Sequence, residues 1–184
     1  MSRFRKLLRS IIPYPPSEEM RDAIRAGDIA AVRRLFADGF SAHSVDGNGT
    51  PFFLHAVERG LIDIVEAFLN AGVDSNVTEA DTGETPLLTA VICAQPAVAE
   101  LLIRRGAMVD TRDRDGWTPL MHAVDGSDPD AVALLLRHRA DARAESPEGD
   151  TPLSIAGRIA DDDPEDSQAR QTLSLLRQAL DAPA

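Results

Sequence analysis

Apolar residues along the chain fall in short stretches that come in pairs. The stretch beginning "TPLLTA" at Thr85 is followed by "VAELLI" at Val98, and the stretch beginning "TPLMHA" at Thr118 by "AVALLL" at Ala131. About a dozen mostly polar residues then intervene, with Asp and Gly near their end, before the next pair begins. Each pair predicts two short antiparallel helices, and each polar stretch a hairpin-like excursion. Proline at the first helical position sacrifices no hydrogen bond and presets φ, and the preceding Thr is suited to the N-cap. Gly27 and Gly60 allow the turn between helices. Gly39, Gly72 and Gly106 close the second helix, where a left-handed residue is cheapest as glycine. Arg139 stands at that position in a later pair.

The pairs repeat. "GETPLLTA" begins at Gly83, "GWTPLMHA" at Gly116 and "GDTPLSIA" at Gly149, a period of 33 at both steps. "GNGTPFFLHAVERG" from Gly47 is a fourth copy whose Thr-Pro sits one residue early, so Pro51 falls where the others have Thr. A fifth, "EEMRDAIRAGDIAAVRRLFADGF" from Glu18, keeps Ala23, Gly27, Val32, Leu35 and Gly39 in step but lacks Thr-Pro. Ala23, Ala56, Ala90, Ala123 and Ala156 recur at one register, as expected where helices approach closely. The chain thus divides into a basic N-terminal segment with a Pro-rich linker, 1–16, and a repeat domain, 17–184. The units run at about 17–46, 47–80, 81–113, 114–146 and 147–184. The first unit places Arg21, Asp22, Arg25, Arg33 and Arg34 among its apolar positions, and the last inserts "DDDPEDS", Asp161–Ser167, between its helices. Both read as polar caps, and the expectation is that five units form a complete module.

The period, the Thr-Pro-Leu-x-x-Ala motif, the mid-repeat glycine and the Leu-Leu-x-x-Gly-Ala-type ending resemble the ankyrin repeat over residues 17–184. The resemblance implies an all-α fold, an L-shaped solenoid of helix-turn-helix units joined by β-hairpin-like finger loops. It also implies a non-catalytic module that binds a protein partner through a concave groove and its finger tips. No copy has the family's usual His directly after Thr-Pro-Leu; His55 and His122 sit one position later. The positions matching the family's groove are Arg25, Glu58, Arg59, Ile92, Cys93, Asp125 and Arg158. At the fingers they are Asn48, Thr50, Asp81, Thr82, Glu84, Arg114, Asp115, Trp117 and Asp150.

Charge sharpens the choice of partner. The first 16 residues carry +4 from Arg3, Arg5, Lys6 and Arg9 and hold no acid; the whole chain carries −11, so residues 17–184 carry −15. An acidic body disfavours non-specific nucleic-acid binding, which depends on neutralising phosphates, and favours a partner with a basic surface. One lysine against 18 arginines hints at a GC-rich bacterial genome. The single cysteine excludes an intrachain disulfide and a multi-cysteine metal site. No apolar run reaches the roughly 18 residues of a membrane span, and a cytoplasmic monomer is the expectation.

The residues that carry chemistry elsewhere read as structural here. His43, His55, His122 and His138 are spread over non-equivalent positions, apart from the His55–His122 pair, which lies two units apart and reads as helix-face structure. Neither a nucleophile–base pair nor a set of convergent metal ligands is visible, so no enzyme, cofactor or metal is expected. "DDDPED" lacks the ligand alternation of a calcium loop and reads as solvated. Cys93 reads as an inert small apolar residue, or with Ile92 as part of the groove. Trp117 occupies a finger position filled elsewhere by Thr50, Glu84 and Asp150. A core site would not tolerate that range, so Trp117 is expected to face the surface as a partner anchor. Otherwise it covers neighbouring finger atoms. The N-terminal "MSRFRKLLRSII" has Phe4, Leu7, Leu8 and Ile11 at helical spacing among its basic residues. Three readings stay open for it: a cap on the first unit, a disordered tail, or a segment docking on a membrane or partner. An alternative to the general binding module is a dedicated inhibitor or immunity-type regulator of an enzyme.

Overall fold

A computed structural model describes residues 16–79 and 82–181. These residues form ten helices and no strand. In chain order they are α1 (Pro16–Ala26), α2 (Ile29–Ala37), α3 (Phe52–Glu58), α4 (Ile62–Asn70), α5 (Pro86–Ile92), α6 (Pro96–Arg104), α7 (Pro119–Asp125), α8 (Pro129–Arg137), α9 (Pro152–Asp162) and α10 (Ser167–Asp181). Consecutive helices pair. The first members, α1, α3, α5, α7 and α9, stack into an inner layer, and the second members into an outer one. This is the helical solenoid that the repeat predicts.

The inner helices begin as their caps dictate. Thr85, Thr118 and Thr151 lie in extended backbone, and their hydroxyls accept from the N–H of Leu88, Met121 and Ser154, with Pro at the next position. Pro51, in the place of Thr, starts α3 without a side-chain cap. Asp28 and Asp128 cap the outer helices α2 and α8. The residue after each of α2, α4, α6 and α8 is followed by one with positive φ: Gly39, Gly72, Gly106 and, in the fourth pair, Arg139 at φ 65°. The turn between helices is left-handed too, at Gly27 and Gly60 but also at Ala94 and Ser127.

The core runs the length of the stack between the layers. Phe52, Phe53 and Phe68 fill it early, with Phe36 edge-on to Phe68 at 5.0 Å. Leu87, Leu102, Leu120, Leu135, Ile155 and Leu176 continue it. One expectation is corrected. Asp161–Ser167 is not a loop insertion: Asp161 and Asp162 complete α9, Ser167 opens α10, and the connection is 163–166. The break falls where Pro164 forces it, since proline disfavours helix at the residue before it. Asp166 then accepts from the Gln168 N–H at the head of α10. The basic N-terminal segment lies outside the described residues.

Candidate protein-binding face

The polar stretches fold into four fingers with one closing bond in common. Asp46 N–H donates to Thr50 O, Asp113 N–H to Trp117 O and Ser146 N–H to Asp150 O. The finger of the third unit closes one residue wider, from Glu79 N–H to Glu84 O. Among the described residues the first finger alone shows a β-bridge, Val45 with Pro51. In two fingers an aspartate holds the turn from within. Asp46 Oδ1 accepts from the N–H of Asn48 and Thr50, and Asp113 Oδ1 from the N–H of Asp115 and Trp117.

The other oxygen of each aspartate reaches the following inner helix. His55 Nε2 donates to Asp46 Oδ2 at 3.0 Å, and His122 Nε2 to Asp113 Oδ2 at 2.7 Å. The two histidines are therefore braces between finger and helix, nine residues from their aspartates in both cases, rather than helix-face filling. His55 Nδ1 also lies 3.2 Å from Glu58 Oε2. Burial works against the Asp46 carboxylate, but the bonds from His55, Asn48 and Thr50 outweigh it and hold its pKa below the ordinary value.

Trp117 departs from the expectation of a surface-facing ring. It is half-buried, lies against the core, and its ring sits 5.3 Å from His122 at a tilt of 57°. The finger beneath it is tight: Gly116 has positive φ, and a Cβ there would collide with Pro147 of the next finger. Arg112 fastens the same two fingers by donating to Gly116 O and Glu145 O.

The ends of the inner helices supply the rest of the face. Arg25, Glu58, Arg59, Asp125 and Arg158 are exposed, and so is the apolar side chain of Ile92, at 49%. Cys93 is half-buried. Arg59 donates to Arg25 O, Arg25 pairs with Asp22, and Arg158 pairs with Asp150 at 2.9 Å. The middle of the face is acidic. Burial raises the Glu84 carboxyl above its usual value, and the carboxylates of Glu79, Asp113 and Glu58 push the same way against His122. Burial raises the Cys93 thiol, with Glu58 and Glu84 adding to it. A shallow cleft of about 430 Å³ opens beside these groups, lined in part by Val91, Ile92, His122, Ala123 and Gly126.

Glu58, Glu84, Ile92 and Cys93 thus gather in one region, bounded by the finger of Asp113, Asp115 and Trp117. Thr82 is exposed and bonds Glu79 and the Glu84 N–H within its own finger. Arg114 is exposed and engaged with its neighbours. Asp150 lies further along, tied to Arg158, and Asp81 lies outside the described residues. Sequence reasoning missed Asp46, Asp113 and Glu79 as organisers and Arg112 as a clasp. The signal for the first two was present, as an aspartate nine residues before each of two equivalent histidines.

Capped inner helices, a parallel outer layer and recurring fingers define a helical repeat solenoid. Family models of ankyrin repeats match residues 20–113 and residues 102–156. The chain belongs to the ankyrin repeat family, whose members generally serve as protein–protein interaction modules and are typically non-catalytic. It is 41% identical over 69 residues to "SH3 and multiple ankyrin repeat domains protein 1" of Homo sapiens, across 37% of this chain and 3% of that protein. It is 31% identical over 99 residues to "E3 ubiquitin-protein ligase Ufd4" of Drosophila melanogaster, across 53% of this chain and 4% of that protein. The chain therefore spans only a few per cent of the length of these relatives. No helix among the described residues is long and apolar enough to cross a membrane.

Proposed function

We propose that the chain binds a protein partner across the face formed by its fingers and inner-helix ends. The partner presents an apolar side chain to Ile92 and the adjoining cleft, with basic groups around it for Glu58, Glu84, Asp115 and Asp125. Trp117 contributes the exposed part of its ring as a supporting wall. Arg59, Cys93, Thr82, Arg114 and Asp150 line the approach. The observation that carries this reading is the exposure of Ile92 amid carboxylates. An apolar side chain set in an acidic surround recognises a basic segment with one apolar residue at its centre.

Capture from native lysate with the full chain tests it. Ile92→Asp and the double variant Glu58→Arg, Asp125→Arg should each lose the captured protein while keeping the parent's thermal midpoint. Capture that survives both variants would overturn the face. One stoichiometric enzyme, inhibited on binding, would make the chain a dedicated regulator; several partners would make it an adaptor.

A further inference from the structure

The acidic face and the basic stretch that precedes α1 belong to one chain. We propose that residues 3–12 of the same molecule occupy this face, so that Arg3, Arg5, Lys6 and Arg9 meet Glu58, Glu84 and Asp125 and an apolar residue of the segment covers Ile92. The proposal rests on the binding reading above and adds a competitor that any partner must displace.

Charge is the first argument. The segment carries four basic residues and no acid, while residues 17–184 carry a net −15. Within the face, the acids concentrate where burial and mutual repulsion oppose ionisation, at Glu84 beside Glu79, Asp113 and Glu58. A cation placed there relieves that repulsion. The arginines of the face do not block the site. Arg25 is paired with Asp22 and Arg158 with Asp150, both toward the ends of the stack, and Arg59, next to Glu58, is turned back to the Arg25 carbonyl of the first unit.

Apolar complementarity is the second. Phe4, Leu7, Leu8 and Ile11 recur at helical spacing, and the face offers Ile92 beside a cleft bordered by Val91, Ala94 and Ala123. Reach is the third. The chain enters α1 at the end of the inner layer where the fingers enter α3, α5, α7 and α9. Inner helices pack about 10 Å apart, so Ile92 in α5 lies about 20 Å along the stack from α1. A chain reaches at most about 3.3 Å per residue, so Arg3 can lie up to roughly 43 Å from Pro16. That length covers both the distance to Ile92 and the roughly 30 Å to Asp125 at the end of α7.

A spin label locates the segment in the intact chain. It is attached at Ser2→Cys in a Cys93→Ala background, with nitrogen-15 on the amides. Amide signals of Glu58, Glu84 and Ile92 should lose most of their intensity, and reducing the label should restore it. Converting Arg3, Arg5, Lys6 and Arg9 to Glu should abolish the loss, as should salt near 1 M, where the Debye length is about 3 Å. Losses confined to α1 and α2 would place the segment as an end cap and overturn the proposal. So would no localised loss, or a loss that survives charge reversal. Losses in a mixture of spin-labelled and separate nitrogen-15 chains would assign the occupant to a second copy, and would also overturn it. The measurement needs no partner, so its failure leaves capture through Ile92 standing, and failed capture leaves this result unaffected.

Discussion

In the finger that leads into the second unit, Asp46 receives two backbone amides of that finger and His55 of the next helix. In the finger that leads into the fourth, Asp113 receives the equivalent three groups from Asp115, Trp117 and His122. Around this shared brace the two units differ. The fourth has a Thr cap, a proline at the first helical position and an indole over its histidine. The second has Pro51 without a side-chain cap, Thr50 in place of the indole, and Glu58 on the second ring nitrogen of His55. Beyond the finger glycine that both share, its left-handed positions are Gly60 and Gly72, where the fourth unit places Ser127 and Arg139. The contrast separates what the repeat requires from what it tolerates. The finger-to-helix brace recurs, while the fourth unit accepts backbone strain at two turns where the second has none.

The largest effect should come from removing the brace. Asp46→Ala and Asp113→Ala each forfeit three hydrogen bonds, and each should cost about 2–3 kcal/mol in urea unfolding. Near-equal losses would establish the brace as the common element. A much smaller loss at Asp113 would show that Trp117 and the Thr118 cap already hold that finger. Acid sharpens the test. The folded state holds the Asp46 carboxyl below its ordinary value, so its contribution is complete above the unfolded value and fades as pH falls through the lower, folded one. The gap between parent and Asp46→Ala should therefore narrow below about pH 4.

Trp117→Ala comes next, with an expected cost of about 1–2 kcal/mol, since a half-buried ring on His122 gives up both packing and an aromatic pair. Its emission, from the only tryptophan, should lie between the fully exposed and fully buried extremes. A change near zero would return the ring to the role of a pure surface anchor.

The helix spans were readable because their boundaries rest on chemistry local to the sequence. Thr-Pro marks each start in the third, fourth and fifth units, and glycine marks most ends. The last unit resisted for a related reason. A run of carboxylates looks like loop, but Asp161 and Asp162 are solvent-facing helix residues, and only Pro164 interrupts the chain. At the candidate face, sequence register put Glu58, Ile92, Cys93 and Asp125 at the inner-helix ends, which is where they lie. The depth of Trp117 was not readable, because it depends on His122 being drawn to Asp113 across nine residues. Likewise, the cluster of Glu79 and Glu84 with Asp113 joins different fingers, and no local pattern announces it.

Strain in the fourth unit gives a smaller and opposite effect. Arg139 at φ 65° carries a left-handed penalty of about 1–2 kcal/mol, partly offset by the entropy that glycine would lose. Arg139→Gly should therefore stabilise by about 0.5–1 kcal/mol. Gly72→Arg should destabilise by a similar amount, because a Cβ there meets nothing and only the backbone resists. Equal and opposite shifts in midpoint would confirm that the two positions are equivalent. Loss of stability in Arg139→Gly would mean that the side chain contributes more than its backbone costs.

The smallest change concerns Glu84. Its carboxyl is raised in the folded chain, so folding favours the protonated form and stability declines as pH rises through that folded value. Glu84→Gln should unfold slightly later than the parent at neutral pH, with the advantage vanishing below about pH 4. An advantage that persists in acid would trace to packing instead.

The bonds that join neighbouring units have a consequence for how the chain finds its fold. Arg105 reaches Glu66 across 39 residues, Arg112 reaches Glu145 across 33, and Thr85 meets Thr111 across 26. Each closes a loop about one repeat long, and loop-closure entropy grows only slowly with that length. The search for native contacts is therefore no harder for five units than for two or three, and order can spread from whichever pair forms first. The Phe-rich contacts among Phe36, Phe53 and Phe68 make the first two units the natural place for that spread to begin.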